Sequence, residues 1–155
     1  MKNWLKLLIS ILVTGLAGFI GSFFTTSSVM TWYPSLIKPS FNPPAWVFGP
    51  VWSILYIMIG VSLFLVWTTN KVSKKKAYFV FGVQLVLNAL WSIVFFGMQR
   101  PALAFLVIVL LWLSIIVNII EFYKIKKSAG YILFPYLVWV SFAAVLNLFI
   151  WVLNG

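Results

Sequence analysis

The chain has 155 residues, 64% of them hydrophobic and 8% charged, with a formal net charge of +10; an ordinary soluble domain carries roughly 25% charged residues. It contains no histidine, no cysteine and a single acid, Glu121. That inventory excludes a serine or cysteine triad, a zinc centre, paired carboxylates, a carboxylate proton relay and a disulfide framework, so no metal or cofactor site is expected.

Five apolar runs, at about 5–27, 45–67, 78–98, 102–122 and 131–153, each meet the need for about 20 residues to cross roughly 30 Å of hydrocarbon. They occupy most of the chain, and the connections are too short for a separate soluble domain. The fold class expected is therefore all-α, an integral membrane bundle of five transmembrane helices formed by 1–155 as one domain.

The first run opens with "MKNWLKLLISILVTGLAG", a basic start and apolar core that also fit a cleavable signal peptide. Ser10, Thr14, Gly18 and Ser22, with Gly15 and Gly21 nearby, make a small-xxx-small ridge that fits either close packing within the bundle or a homodimer. Next comes a 28–44 loop whose Trp32, Tyr33 and Pro43 would fold over any cavity beneath it. At its end Asn42 suits a helix N-cap and Pro43 the first helical position, where a missing N–H costs nothing. Pro50, eight residues on, should leave the Trp46 carbonyl unpaired and bend the second span. In the fourth span Glu121 precedes Lys124 by three residues, the spacing of an interfacial ion pair.

The lysines fall by side. Lys2 and Lys6 precede span one, Lys71, Lys74, Lys75 and Lys76 separate spans two and three, and Lys124, Lys126 and Lys127 separate spans four and five. Lys38 and Arg100 alone fall on the other side. The positive-inside rule then places the N-terminus in the cytoplasm, with the 28–44 loop and the C-terminus outside. Topology and anionic lipid headgroups account for the basic charge, so no nucleic-acid partner is expected.

The nine tryptophans, six tyrosines and fifteen phenylalanines carry the remaining chemistry. Trp4, Trp32, Tyr33, Trp67, Tyr78, Tyr123, Tyr131 and Trp151 lie near span ends, where aromatic belts form. Others lie deeper. Phe48, Trp52 and Tyr56 follow one another at i, i+4 on span two; Gln84, Asn88 and Trp91 share a face of span three; Trp139, Ala143 and Asn147, with Leu146 beside them, share a face of span five. Two readings fit these faces: amides that hydrogen-bond across helices, or a largely apolar cavity with a few polar groups. Bulky aromatics on facing helices hold backbones apart and favour the cavity.

At "WYPSLIKPSFNPPAWVFGPVWSILYIMIG", "QLVLNALWSIVFFG" and "PYLVWVSFAAVLNLFIWVLN" the chain resembles the TspO family closely. Its members are the translocator proteins, or peripheral benzodiazepine receptors, called tryptophan-rich sensory proteins in bacteria. The resemblance covers nearly the whole chain and implies five helices around a cavity for porphyrins such as protoporphyrin IX, for synthetic isoquinoline carboxamide and benzodiazepine ligands, and for cholesterol-like membrane lipid in eukaryotic members. It also implies that the first span is retained. The family's pocket positions fall on Ser22, Phe48, Trp52, Asn88, Trp91, Trp139, Ala143 and Leu146, to which the residue pattern adds Tyr56. The chain departs from animal members in "LNLFIWVLNG", which lacks the tyrosine and arginine of their cholesterol-recognition segment. A bacterial plasma-membrane protein handling tetrapyrroles fits better.

The function expected is therefore receptor-like binding of a porphyrin among Trp52, Trp91 and Trp139, with propionates near Lys38 or Arg100. The family's link to light- and oxygen-dependent porphyrin breakdown makes Trp52 and Trp139 the candidate catalytic residues if such photochemistry occurs, the excited porphyrin supplying the reactivity. The alternatives are a transporter of tetrapyrroles or lipids, and a regulatory membrane partner without turnover. Buried charges and obvious inverted repeats are both lacking, which favours binding over flux.

Overall fold

A computed structural model describes residues 1–70 and 73–155; Lys71, one of the lysines assigned to the cytoplasmic side, lies outside the described residues. Among the described residues six α-helices make five spans. They are α1 (Asn3–Met30), α2 (Phe48–Thr68), α3 (Lys75–Ser92), α4 (Pro101–Ile125), α5 (Lys127–Ile132) and α6 (Phe134–Asn154). A 3-10 turn at Ala45–Val47 leads into α2, and a π-helical turn at Ile93–Gly97 extends α3. The short α5 joins α6 at Leu133, just before Pro135, so the two together form the fifth span, Lys127–Asn154.

The first, fourth and fifth spans run past their apolar stretches at both ends, because a helix satisfies its backbone internally and need not stop where the hydrocarbon does. The second (Ala45–Thr68) keeps its expected start, and the third (Lys75–Gly97) begins earlier but does not reach residue 98. Among the described residues there is no strand. The spans close into a ring in which α1 packs along α2 and α3, α4 packs along α3 and α6, and α2 meets α5. The 28–44 connection and the α3–α4 turn lie at one end of the ring, here the loop end; the lysines of the other connections mark the lysine-rich end.

Toward the lysine-rich end the packing is dense. A Cβ added at Gly60 would fall 2.8 Å from the Ile11 Cα and 3.0 Å from the Thr14 Oγ1, so α1 and α2 meet there backbone to backbone. Thr14 seals the contact by donating to the Tyr56 carbonyl at 2.8 Å. On α2 the Ser62 hydroxyl donates to the Ala129 carbonyl at 2.6 Å, which ties α2 to α5. Phe81 and Phe122 stack with centroids 5.5 Å apart, and Glu121 is held between Lys76 at 3.0 Å and Lys124 at 2.9 Å. Most of the ridge on α1 packs within the chain: Ser10 and Thr14 are buried, Gly18 lies against the Tyr56 ring and Gly21 against Ser92, while Gly15 and Ser22 are exposed.

The entry to α2 differs from expectation. Asn42 does not cap the helix, because its side chain is committed elsewhere: its Oδ1 accepts from the Tyr33 hydroxyl at 2.7 Å and its Nδ2 donates to the Pro43 carbonyl at 3.2 Å. Pro43 is accordingly not the first helical residue. Pro44 is extended (φ −56°, ψ 143°) and the 3-10 turn follows it. Pro50 is then the third residue of α2, where an N–H has no partner inside the helix, and not a break in an established ladder.

Candidate functional site

Between the loop end and the dense half lies a cavity of about 540 Å³, within the range of about 300–1,000 Å³ common for small-molecule sites. Its aromatic wall follows from helical periodicity. Phe48, Trp52 and Tyr56 stand one above another on α2 and all face it; Trp91 faces it from α3; Trp139, Ala143, Leu146 and Asn147 face it from α6. The π turn adds two rings, since its wider winding brings both Phe95 and Phe96 to the cavity.

The rings pack as a continuous set. Trp52 stacks on Tyr56 at 5.7 Å and lies 6.3 Å from Trp91 at a tilt of 34°. Phe48 meets Trp139 edge-on at 6.1 Å and Tyr33 at 6.4 Å. Such offset and edge-to-face arrangements are the ones the ring quadrupoles favour.

The amides behave as the helix-bridging reading expects while the aromatics form the cavity wall. The Tyr56 hydroxyl donates to Asn88 Oδ1, Asn88 Nδ2 donates to the Tyr136 hydroxyl at 2.9 Å, and that hydroxyl donates to Gln84 Oε1 at 2.9 Å. This chain ties α2, α3 and α6 together beneath the cavity. Asn88 therefore does not reach the cavity; it stands behind Tyr56 and fixes it. Asn147 does face it, and positions a wall: Trp91 donates its indole N–H to Asn147 Oδ1 at 3.0 Å, and Asn147 donates to the Pro101 carbonyl at 2.8 Å. The Trp139 indole N–H is buried and meets no acceptor among the described residues.

The connecting loop forms the roof. Tyr33 is buried, faces the cavity and packs on Phe48, Phe95 and Phe96. Burial pushes its phenol up to about 12, against a weaker opposite pull from the Asn42 hydrogen bond. Trp32 packs edge-on against Phe95 at 5.7 Å, outside the cavity wall, and Pro43 braces the loop by accepting from Asn42 without facing the cavity. Lys38 reaches back into the loop and donates to the carbonyls of Tyr33 (2.9 Å), Leu36 (2.9 Å) and Pro34 (3.3 Å). An ammonium has three donors, so Lys38 as placed has none left for a ligand carboxylate; Arg100, exposed before α4, has no such commitment among the described residues. Ser22 lies at the cavity's edge, exposed, with its hydroxyl turned back to the Phe19 carbonyl at 2.9 Å.

Tyr136, the hub of the buried hydrogen-bond chain, is not among the residues that the sequence singled out. Its signal was position: Tyr136 is one turn before Val140 and seven residues before Ala143, on the inward face of the fifth span.

Five apolar helices around an aromatic cavity, roofed by a proline-rich loop, define a multi-pass membrane protein. The comparisons make this specific. The model of the TspO/MBR family matches residues 10–152, and the chain belongs to that family. It is similar to the Tryptophan-rich protein TspO of Archaeoglobus fulgidus (45% identical, 99% of each chain covered) and to the Translocator protein of Homo sapiens (34%, 96% of this chain and 89% of the relative). It is also similar to Protein CrtK of Rhodobacter capsulatus, at 38% over 89% of this chain and 86% of the relative.

Proposed function

We propose that the cavity binds a porphyrin-type ligand, protoporphyrin IX or a related tetrapyrrole, and accepts isoquinoline carboxamide and benzodiazepine ligands in the same place. The observation that carries this reading is the wall itself: three indoles, Trp52, Trp91 and Trp139, face a cavity of about 540 Å³. Flat conjugated macrocycles suit such a surface through stacking. The buried Trp139 N–H supplies one directed donor, and Arg100 at the loop end is the cation available to a propionate. The protein acts as a receptor in a bacterial plasma membrane, with its N-terminus and lysine-rich connections cytoplasmic. Binding is favoured over passage because the space beneath the cavity is filled by the Tyr56–Asn88–Tyr136–Gln84 chain and by the contact of α1 with α2 at Gly60.

The same geometry bears on photochemistry. An excited porphyrin held against Trp52 or Trp139 can take an electron from the indole, and dioxygen is the oxidant that would then be consumed in opening the macrocycle, so light- and oxygen-dependent degradation is the turnover this site would support. The test is protoporphyrin IX with purified protein in detergent, followed by absorbance and product mass in light and in darkness. A light-only product suppressed in Trp52→Phe and Trp139→Phe at nearly unchanged affinity establishes turnover. Binding with no bleaching beyond that in protein-free detergent establishes a receptor pocket, and no binding overturns the reading.

A further inference from the structure

The cavity is not enclosed on all sides, and the pattern of exposure shows where it opens. Six of its wall residues are exposed: Gly15, Phe19 and Ser22 on α1, and Gly49, Ser53 and Ile57 on α2. On each helix they are spaced i, i+4 and i+7 or i+8, which makes one face. The wall residues contributed by α3, the π turn, α6 and the roof are all buried or half-buried. The space therefore continues outward between α1 and α2, toward the surface that hydrocarbon would cover. This slot has a definite lower limit, for below Tyr56 the two helices close on each other at Gly60, Ile11 and Thr14.

The roof, by contrast, is fastened. Asn154, near the end of α6, accepts from the Ile37 N–H at 2.9 Å and donates to the Ile37 carbonyl at 2.9 Å. Lys38 and the Tyr33–Asn42 hydrogen bond tie the loop to itself. Opening it would expose Tyr33 and break this set together. The slot needs no such rearrangement. Its residues are mostly small, and its two hydroxyls are satisfied within their own helices, Ser53 donating to the Gly49 carbonyl at 2.8 Å and Ser22 to the Phe19 carbonyl. No unpaired donor is thereby turned to lipid, which hydrocarbon would penalise.

We propose that the slot between the loop-end halves of α1 and α2 is the ligand's entrance, so that the cavity draws flat, apolar molecules already dissolved in the bilayer and not from water. This rests on the reading of the cavity as a ligand site and adds the compartment from which the ligand comes.

The chain has no cysteine, so Ala143→Cys places a single thiol on the far wall of the cavity. Proteoliposomes of this variant are treated with pyrene maleimide dissolved in the lipid or with a membrane-impermeant sulfonated maleimide in the water. The pyrene reagent should label the thiol, and adding Gly15→Phe or Ser53→Phe should slow it about tenfold, since a narrowed approach lowers an association rate. Gly15 has no heavy atom within 4 Å of a built Cβ, so its new side chain has room to fill the slot. Asn154→Ala should leave the lipid-side rate unchanged, and the sulfonated reagent should lag. The proposal is overturned if the pyrene reagent fails to label, if neither phenylalanine slows it, if Asn154→Ala accelerates it, or if the sulfonated reagent keeps pace. Protoporphyrin IX titration of the parent protein, unlabelled and in vesicles of the same lipid, separates the two readings. Slot-dependent labelling without porphyrin binding refutes the ligand and supports the slot; porphyrin binding with slot-independent labelling refutes the slot alone.

Discussion

The two ends of the bundle use one kind of chain for opposite purposes. At the lysine-rich end, small residues let helices touch: Gly60 admits the backbone of α1, and Ser62 reaches the Ala129 carbonyl. At the loop end, large aromatic residues hold the same helices apart, and what they leave is the cavity. Lipid supplies little hydrophobic drive for helices to associate, so van der Waals contact and interhelical hydrogen bonds must hold the bundle together. The dense half does this and lets the other half stay hollow. Between the halves runs the Tyr56–Asn88–Tyr136–Gln84 chain, which belongs to both: it bridges three helices and fixes the lowest ring of the aromatic wall.

If that division holds, the largest effect should come from filling the dense half. Gly60→Leu has no space, because its Cβ alone would meet the Ile11 backbone at 2.8 Å; the expected loss is about 3 kcal/mol, the upper part of the range for overpacking. Unfolding in mixed micelles would measure it. Asn88→Leu comes next. It leaves the Tyr56 and Tyr136 hydroxyls without a shared partner, at about 2 kcal/mol from unsatisfied buried groups, and it should also weaken ligand binding by freeing Tyr56. A variant that loses stability but retains full affinity would separate the bridging role from the wall.

Much of this plan was legible in the sequence, and the reasons are local. A span is marked by its own apolar run, so five spans could be read directly; the aromatic face of α2 could be read because i, i+4 neighbours share a side whatever surrounds them. What escaped depends on contacts distant in the chain. The Asn154–Ile37 latch joins residues 117 apart, and nothing local marks either one. The helix start was misplaced for the same reason: Asn42 has the chemistry of a cap, but Tyr33 engages it first. Phe96 joins the wall only because a π turn changes the register after Trp91. Ser22 came from family resemblance, while its place on the small-residue ridge pointed to packing; it sits at the edge where the ridge passes into the slot.

The smaller effects concern the roof, which adjoins the hollow half yet is fastened like the dense one. Asn154→Ala removes both bonds to Ile37 at an exposed site, for about 1 kcal/mol, and should raise proteolytic nicking of the 33–44 segment without changing the folding of the spans. An unchanged nicking rate would mean that the aromatic packing of Tyr33 suffices to hold the loop.

The most delicate probe is alkaline pH. A tyrosine in the unfolded chain ionises near 10, whereas burial holds Tyr33 neutral up to about 12. A folded value raised above the unfolded one contributes stability that is complete below pH 10 and is lost as pH climbs toward about 12. The direction follows from the unfolded state, which releases its proton first and gains from doing so. Other tyrosines and the lysines titrate nearby, so the informative quantity is the difference between the parent and Tyr33→Phe. The phenylalanine keeps the ring contacts with Phe48, Phe95 and Phe96 and gives up only the hydroxyl bond to Asn42. Below pH 10 the parent should be the more stable by about 1 kcal/mol, the net worth of one hydrogen bond. Above pH 10 the advantage should shrink and then reverse, because the variant has no phenol to hold neutral. A difference that stays constant across this window would place Tyr33 in water, and the roof would then be an open loop over the cavity.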